Sequence, residues 1–246
     1  METSSPGPTG ATRFTTTQWS VVFAAGASPS PASERALEKL CRAYWYPLYA
    51  YLRRCGHDAD DAQDLVQEFF HRLLSSSWIS RADRNKGRFR TFLLCGLQNF
   101  LSNERQKAKR IKRGGGHSFI SLDASSAEEK YALEPADLAS PDKLFDRRWA
   151  MMILETVLAR LQAEQAESGA APRFEILRSS LLGEPTAETY HELASRFAVT
   201  ESTVKSWVHR LRLRYRELLR EEVARTVAGP VEVQDELRHV LRALVA

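Results

Sequence analysis

The chain has 246 residues, 43% of them apolar and 27% charged, with a formal net charge of +4. This composition supports buried cores and excludes a disordered chain, and the length allows one large domain or two small ones. No apolar run reaches the roughly 18–20 residues that a membrane-spanning helix needs, so no membrane insertion is predicted. Residues 1–12 lack the basic start and apolar stretch of a secretion signal. We therefore expect a cytoplasmic protein.

The three cysteines, Cys41, Cys55 and Cys95, lie far apart in the sequence. They form no CxxC pair and have no zinc-ligand spacing with any histidine. We expect reduced thiols buried in helices, as is usual for a protein in a reducing compartment. The sequence predicts neither a metal nor a cofactor.

Nearly every periodic segment repeats its apolar residues at helical spacing, and alternating strand patterns are rare. The sequence therefore predicts an all-α protein. In chain order, the first helices are expected over residues 17–25, 32–54, 58–74 and 89–112. Pro47 should kink or divide the second of them.

Residues 114–141 interrupt this pattern and are predicted to form a flexible linker without helical structure. They contain three glycines and two prolines, and the stretch from Gly114 to Asp142 carries six acidic residues against one lysine. The chain is thereby divided into a partly disordered extension, 1–30; a first helical module, 31–113; the linker, 114–141; a second helical module, 142–228; and a helical C-terminal extension, 229–246.

Two segments carry most of the positive charge. Residues 88–116 hold eight Lys or Arg against one Glu, and residues 196–220 hold seven against two acids, so the remainder of the chain is net acidic. Two separated basic segments indicate two contacts with one polyanion, such as DNA. The alternative is a pair of solvated helix faces.

The second basic segment has the pattern of a helix-turn-helix. A short helix over 187–197 is followed by a turn at Ala198-Val199, and Thr200 is positioned to cap a second helix. Trp207 is expected to pack at the edge of the core rather than to stack on a base. The polar face presents hydrogen-bond donors to a DNA groove and consists of Ser202, Lys205, Ser206, His209, Arg212 and Arg216. An ordinary helical hairpin is the alternative.

Three stretches, in order, resemble the extracytoplasmic-function (ECF) sigma factors of bacterial RNA polymerase. Asp61-Ala62-Gln63-Asp64-Leu65-Val66-Gln67-Glu68 resembles their DAEDLVQE helix. Phe89-Arg90-Thr91-Phe92-Leu93 through Gln98-Asn99 resembles their FRAWL…RN segment. Tyr190-His191-Glu192-Leu193-Ala194 through Thr203-Val204-Lys205-Ser206-Trp207 resembles their YEEIA…TVKSR helix-turn-helix. Trp19-Ser20-Val21-Val22 and Glu134-Pro135 further resemble a long-chain branch of the family.

The resemblance implies a factor that binds core RNA polymerase, through the β′ coiled coil and the β flap, and directs it to promoter DNA. An acidic helix face suits a basic docking partner, and the implied polymerase-binding residues are Asp61, Asp64, Gln67 and Glu68. The first module would open and hold the minus-ten element, which requires a base to leave the stack, and the second would bind the minus-thirty-five element. The implied DNA-binding residues are Phe89, Arg90, Asn99, Arg105, Lys107, Lys109, Arg110, Lys112 and Arg113, and then Ser202, Thr203, Lys205, Ser206, His209, Arg210 and Arg212.

The sequence departs from the family pattern at three positions of the helix-turn-helix. Ala198 stands where the family usually has Gly in the turn, at a cost on the order of 1 kcal/mol if the backbone needs a positive φ. Trp207 stands where Arg is common, and Leu211 replaces a usual Ala. These differences bear on base preference and packing.

Two other classes of protein fit the sequence less well. A conventional DNA-binding regulator would need a ligand or dimerisation domain before residue 140, where the chain instead has a basic helix and an acidic face. A metal-dependent nuclease could use Asp60, Asp61, Asp64 and Glu68 on one helix face, but no further carboxylate or histidine motif accompanies them. The sequence favours a protein without enzymatic activity. It leaves open whether an anti-sigma factor binds it.

The C-terminal extension follows a break at Gly229-Pro230. Leu237, Val240, Leu241 and Leu244 then recur at helical spacing. A helix this short is marginal alone, so its apolar stripe must rest on another surface. That surface is either the second module, or the first module or the polymerase, in which case the extension regulates activity.

Overall fold

A computed structural model describes residues 19–27, 30–75, 78–110, 124–134, 140–182 and 189–245; for 74, 75, 107–110, 124–126 and 182 only the backbone is described. Within these residues the protein is helical and contains no strand, which confirms the all-α prediction. The α-helices are α1 (Trp19–Ala25), α2 (Pro31–Arg54), α3 (Ala59–Ser75), α4 (Phe89–Arg110), α5 (Ala124–Ala132), α6 (Pro141–Glu167), α7 (Ala171–Leu182), α8 (Tyr190–Phe197), α9 (Glu201–Ala224) and α10 (Val233–Val245). Short 3-10 helices cover Ile79–Arg81, Arg84–Lys86 and Pro230–Glu232.

The long helix α2 is continuous through Pro47, so of the two predicted effects of this proline, a kink or a division, the division does not occur. The N-terminus of the helix is stabilised by a reciprocal capping box that Ser30 and Ser33 form. Tyr44, Leu48 and Leu52 around the proline are buried in the core. Tertiary packing of this face supplies most of the stability of such a helix, and it outweighs the hydrogen bond that proline removes.

The two halves that the sequence divides at the linker share one core. Buried side chains of α1 to α4 form a single apolar cluster with those of α6 to α10. Tyr44 of α2 contacts Phe89 of α4 edge-on, with ring centres 5.7 Å apart, and stacks on Phe145 of α6 at 6.3 Å. The modules therefore lie directly against each other in this conformation.

Helix α5 lies inside the segment that was predicted to have no helical structure. Ala127 is buried, and the guanidinium of Arg53 on α2 donates two hydrogen bonds to Glu128, at 3.0 and 2.6 Å. These bonds hold the pKa of Glu128 below its usual range. The helix sequence, ASSAEEKYA, has almost no apolar periodicity, so contacts with α2 rather than local pattern explain why it forms. The glycines at 114–116 and residues 135–139 of the predicted linker lie outside the described residues, as do residues 1–18.

The cysteines only partly match their prediction. All three are free thiols, and burial raises the pKa of Cys41 in α2 to about 12. Cys55 lies in the turn after α2, however, and Cys95 is exposed on α4. The prediction of burial is therefore wrong for Cys95, because its position falls on the solvent side of the α4 stripe.

The C-terminal helix α10 packs against α6 and α9. Val233, Val240 and Ala243 are buried there, whereas Leu241, which was predicted to belong to the apolar stripe, is 59% exposed. The buried stripe is thus rotated from the predicted one, and it includes an acid, Glu236, which is completely buried.

Helices α8 and α9 are joined by a tight turn over residues 198–200. Thr189 and Glu192 form a capping box at the start of α8, and the Thr200 hydroxyl accepts a hydrogen bond from the backbone N–H of Thr203 at 3.3 Å. Ala198 ends α8 in the left-handed region, with φ 52° and ψ 44°, and is the one non-glycine with positive φ in the described part of the chain. Position 198 therefore does adopt a positive φ, which is the condition under which the sequence analysis expected an alanine to be less favourable than a glycine.

We expect Ala198→Gly to raise the free energy of unfolding by about 1 kcal/mol, because glycine adopts this conformation without the Cβ clash. Denaturant unfolding measures the change. Ala159→Gly on the exposed side of α6 is the matched control and should lower the free energy by about 1 kcal/mol. A loss of stability in both variants would contradict the strain at position 198.

Candidate polymerase and nucleic-acid interfaces

One side of α3 is acidic and exposed. Its opposite side is buried through Ala62, Val66, Phe69, Phe70 and Leu73. Asp61, Asp64 and Glu68 are exposed, and Gln67 is half-buried. Residues three, four and seven positions apart share one face of a helix, so the structure brings together the four residues predicted to bind polymerase.

Arg72 limits how much of this acidic charge is available to a partner. It donates a hydrogen bond to Glu68 at 2.9 Å and another to Glu104 of α4 at 2.6 Å. The arginine therefore ties the C-terminal end of the acidic face to α4. Asp61 and Asp64 lie nearer the start of α3, and Asp61 is in its first turn, where negative charge also stabilises the helix dipole.

The middle and C-terminal half of α4 present polar side chains to solvent. Asn99 and Arg105 are exposed, whereas Leu97 and Phe100 are buried on the other side of the helix. Beside this face is a cleft of about 450 Å³, lined by Tyr51, Cys55, Gln98, Leu101, Ser102, Arg105 and Gln106. Gln98 donates to the Tyr51 hydroxyl at 3.0 Å across its rim. Burial raises the pKa of Tyr51, so its hydroxyl stays protonated at neutral pH.

The first turn of α4 has a different environment from the rest of the helix. Phe89 and Arg90, both predicted to bind DNA, are each only 4% exposed. The Arg90 guanidinium lies 3.7 Å from the centre of the Trp149 ring and is paired with Glu236. In this conformation neither side chain is accessible to a nucleic acid.

Part of the predicted basic segment cannot be compared with the structure. Lys107, Lys109 and Arg110 belong to the backbone of α4, but their side chains lie outside the described residues. Lys112 and Arg113 lie outside them entirely.

The polar face of α9 is exposed where the sequence predicts it. Val204, Val208, Leu211 and Leu218 are buried. The opposite side carries the predicted DNA-binding residues: Ser202, Lys205, Ser206, His209, Arg210 and Arg212 are exposed, and Thr203 is half-buried at the cap.

Several of these side chains already have partners within the protein. Lys205 lies 3.3 Å from Glu201, whose pKa is lowered first by its hydrogen bond to Lys205 and then by that to His191. Arg212 donates to the backbone carbonyl of Ser180 at 2.7 Å. Arg212 thus anchors α9 to α7, and it is less available to a nucleic acid than its exposure suggests.

Trp207 packs within the protein, as expected. Its ring meets Phe197 of α8 edge-on with centres 5.6 Å apart, and the guanidinium of Arg173 on α7 lies 4.7 Å from its centre. Arg210 lies beside Trp207 and Arg173 at a second cleft. Trp207 therefore joins α7, α8 and α9.

The sequence analysis missed the cluster around Glu236. Its carboxylate pairs with both Arg88 and Arg90, and Asp146 lies 3.5 Å from Arg90. One signal was present in the sequence: Glu236 precedes Val240 by four residues and so shares its buried face. An acid on an apolar helix face indicates a buried partner, but only the fold identifies that partner.

Residues 40–111 match the family described as Sigma-70 region 2. This match supports a sigma-70 family factor, a regulatory class of protein that binds core RNA polymerase for promoter recognition. No curated protein and no solved structure matched the chain.

The region 2 match covers most of α2, all of α3, and α4. It therefore includes the acidic face of α3 and the exposed Asn99 and Arg105. It also includes the first turn of α4, where Arg90 is buried. Helices α8 and α9 lie outside the matched residues.

Across the described ranges, no group of three or more His, Cys, Asp or Glu is arranged to hold a metal ion. None of the helices described is both long enough and apolar enough to cross a membrane.

Proposed function

We propose that the protein is a sigma factor of the extracytoplasmic-function type that docks on core polymerase through α3, opens the minus-ten element with α4 and binds the minus-thirty-five element with α9. The observation that carries this proposal is the region 2 match to residues 40–111, together with the exposure of Asp61, Asp64 and Asn99 on the matched helices. An acidic face for the β′ coiled coil and a separate polar face for DNA are what such a factor requires.

The second half of the chain is proposed to act as a DNA-reading helix-turn-helix. The tight turn at Ala198 and the cap at Thr200 support this role. Ser206, His209 and Arg210 project from the exposed side of α9, where they can meet base edges and phosphates in a major groove. The β flap is the proposed polymerase partner of this half.

The N-terminal helix supports the proposal of a long-chain branch with extensions. Trp19 begins the WSVV sequence, is buried, and donates through Nε1 to the carbonyl of Thr226 at 3.2 Å. The N-terminal helix and the segment after α9 are therefore integral parts of one fold. The proposed activity takes place in the cytoplasm, and an anti-sigma factor remains a candidate partner.

Run-off transcription with core polymerase tests the proposal. Purified protein should bind core polymerase and yield specific transcripts from genomic templates, and core polymerase alone should yield none of them. A protein that neither comigrates with core polymerase nor supports a specific transcript would overturn the assignment.

Asp64→Lys should weaken binding to core polymerase by about tenfold or more, since reversing a charge in a complementary interface adds repulsion to the lost attraction. Asp64 is exposed, so the fold should be retained. Glu129→Lys, the same charge change at an exposed position of α5, should leave the affinity unchanged. Fluorescence anisotropy with labelled protein measures the affinity of both variants for core polymerase. Equal affinities would contradict the proposal that α3 carries the docking face.

Asn99→Ala and Arg210→Ala should impair different steps. The first should reduce promoter opening, measured by permanganate reactivity of the minus-ten region, while closed-complex formation is retained. The second should weaken binding to promoters that contain the upstream element, by about 1–3 kcal/mol if the arginine contacts a base. Normal opening by the Asn99 variant would contradict its role at the minus-ten element.

A further inference from the structure

The cleft beside Trp207 lies between α9, the start of α7 and the end of α6, and has a volume of about 400 Å³. Three arginines line it: Arg173 of α7, and Arg210 and Arg214 of α9. Among the described residues, no acidic side chain lines it. Arg210 is also exposed beside Ser206, so the face of α9 that is proposed to bind DNA continues into this cleft.

The three arginines differ in whether the protein neutralises their charge. Arg214 donates to Glu164 at 2.8 Å and to Glu217 at 2.9 Å, and the first of these bonds lowers the pKa of Glu164, which therefore stays ionised. Arg173 and Arg210 have no carboxylate partner within the part of the chain that the structure describes. The cleft thus presents two positive charges that no acid of the described protein offsets.

Trp207 holds Arg173 in place without using its hydrogen-bond donors. The Arg173 guanidinium carbon lies 4.7 Å from the centre of the Trp207 ring, and Phe197 supports that ring edge-on at 5.6 Å. A cation over an aromatic ring is attracted through the face of the guanidinium, whereas the N–H donors lie in its plane. The donors of Arg173 are therefore oriented but unsatisfied, which is the arrangement that suits an incoming phosphate.

We propose that Arg173 binds a phosphate of the DNA backbone beside the groove that α9 enters, and that Trp207 is the residue that positions it. This inference rests on the proposed function of α9. It extends the DNA-binding surface to α7, a helix outside the proposed helix-turn-helix.

The position of Arg173 favours a backbone phosphate over a base edge. A helix that enters the major groove directs its central exposed face at the bases and has a sugar-phosphate backbone on either side. Ser206 and His209 lie on that exposed face, whereas Arg173 reaches the flank of α9 from a neighbouring helix. A guanidinium on the flank meets phosphate, and such contacts fix the register of a protein on the duplex without reading its sequence.

The salt dependence of duplex binding tests this contact directly. Each phosphate that a protein cation neutralises releases counterions and adds about 0.9 to the slope of log affinity against log salt concentration. Full-length protein without polymerase is titrated into a fluorescein-labelled duplex of mixed sequence, and anisotropy gives the affinity over a series of salt concentrations. The measurement needs neither a known promoter nor core polymerase.

Arg173→Gln should reduce the slope by about 0.9 and weaken binding by about eightfold at a salt concentration of about 0.1 M, since one phosphate contact is lost. The loss should be the same for duplexes of different sequence. Arg178→Gln is the matched control, because it makes the same change of charge at an exposed position of α7, roughly 140° further round the helix. It should keep the wild-type slope and affinity.

A double-mutant cycle tests whether Trp207 acts through Arg173. Trp207→Leu removes the ring and should weaken duplex binding by a smaller factor than Arg173→Gln, and Trp207→Phe should restore most of the affinity. In the Arg173→Gln background, Trp207→Leu should have no further effect, because the group that it positions is already absent. An equal loss in both backgrounds would show that Trp207 supports only the packing of α9 and would contradict its positioning role.

Arg173→Lys provides a second variant in case Arg173→Gln folds poorly. It keeps the charge, so the slope should stay near the wild-type value, while the affinity should fall because an ammonium cannot form the paired hydrogen bonds of a guanidinium. A slope that falls by about 0.9 in the lysine variant would contradict a charge contact with phosphate.

Three further results would refute the contact: a wild-type slope in Arg173→Gln, an equal fall of the slope in Arg178→Gln, or no binding of the wild-type protein to any duplex. Calorimetric titration with ATP should show no binding that depends on Arg173. Such binding would assign the cleft to a free nucleotide and overturn the DNA contact. Failure to bind core polymerase would instead overturn the proposed function, and the salt slopes of the free variants would still decide the role of Arg173.

Discussion

The buried contact between Arg90 and Glu236 connects positions 146 residues apart and determines how the two halves of the chain are arranged. Burying an arginine and a carboxylate is expensive, and an apolar substitute of the same volume is often as stable or more stable. What such a contact contributes is geometry: the charges must meet, so α10, α4 and α6 can pack in few other ways. Tyr44 and Phe145 then close the apolar core around this arrangement. Apolar packing gives the assembly stability, while the ionic cluster selects one relative position of its parts.

Charge in this protein serves two purposes, and a count of residues does not separate them. The segment around α9 has a clear excess of arginine, yet Arg214 is bound to Glu164 and Glu217, and Arg212 to a backbone carbonyl of α7. These arginines act as structural links between helices. The basic surface that α9 is proposed to offer a nucleic acid is consequently smaller than the residue count implies. The same holds for α4, where Arg88 and Arg90 are engaged internally and Arg105 is exposed.

The turn between α8 and α9 shows how one unfavourable residue is accommodated. Ala198 adopts a conformation that costs an alanine roughly 1–2 kcal/mol, but the caps at Thr189 and Thr200 secure both helices at the turn. Trp207 adds packing between α7, α8 and α9. The turn is therefore held by its surroundings rather than by its own backbone preference. This is consistent with a turn whose shape matters for orienting α9.

Sequence periodicity was enough to predict the helices of the first half, the acidic side of α3 and the polar side of α9, because in an amphipathic helix the spacing of apolar residues identifies the buried face. The cap at Thr200 could be anticipated because it depends on neighbours within a few residues, and the positive φ at Ala198 was raised as a possibility by the family's usual Gly. Three features could not be anticipated. Helix α5 forms on contacts with α2, Pro47 is tolerated inside a packed helix, and Arg90 of the basic segment is buried beneath Trp149 against Glu236. Each of these depends on a partner far away in the chain, and only the tertiary structure decides which distant segments meet.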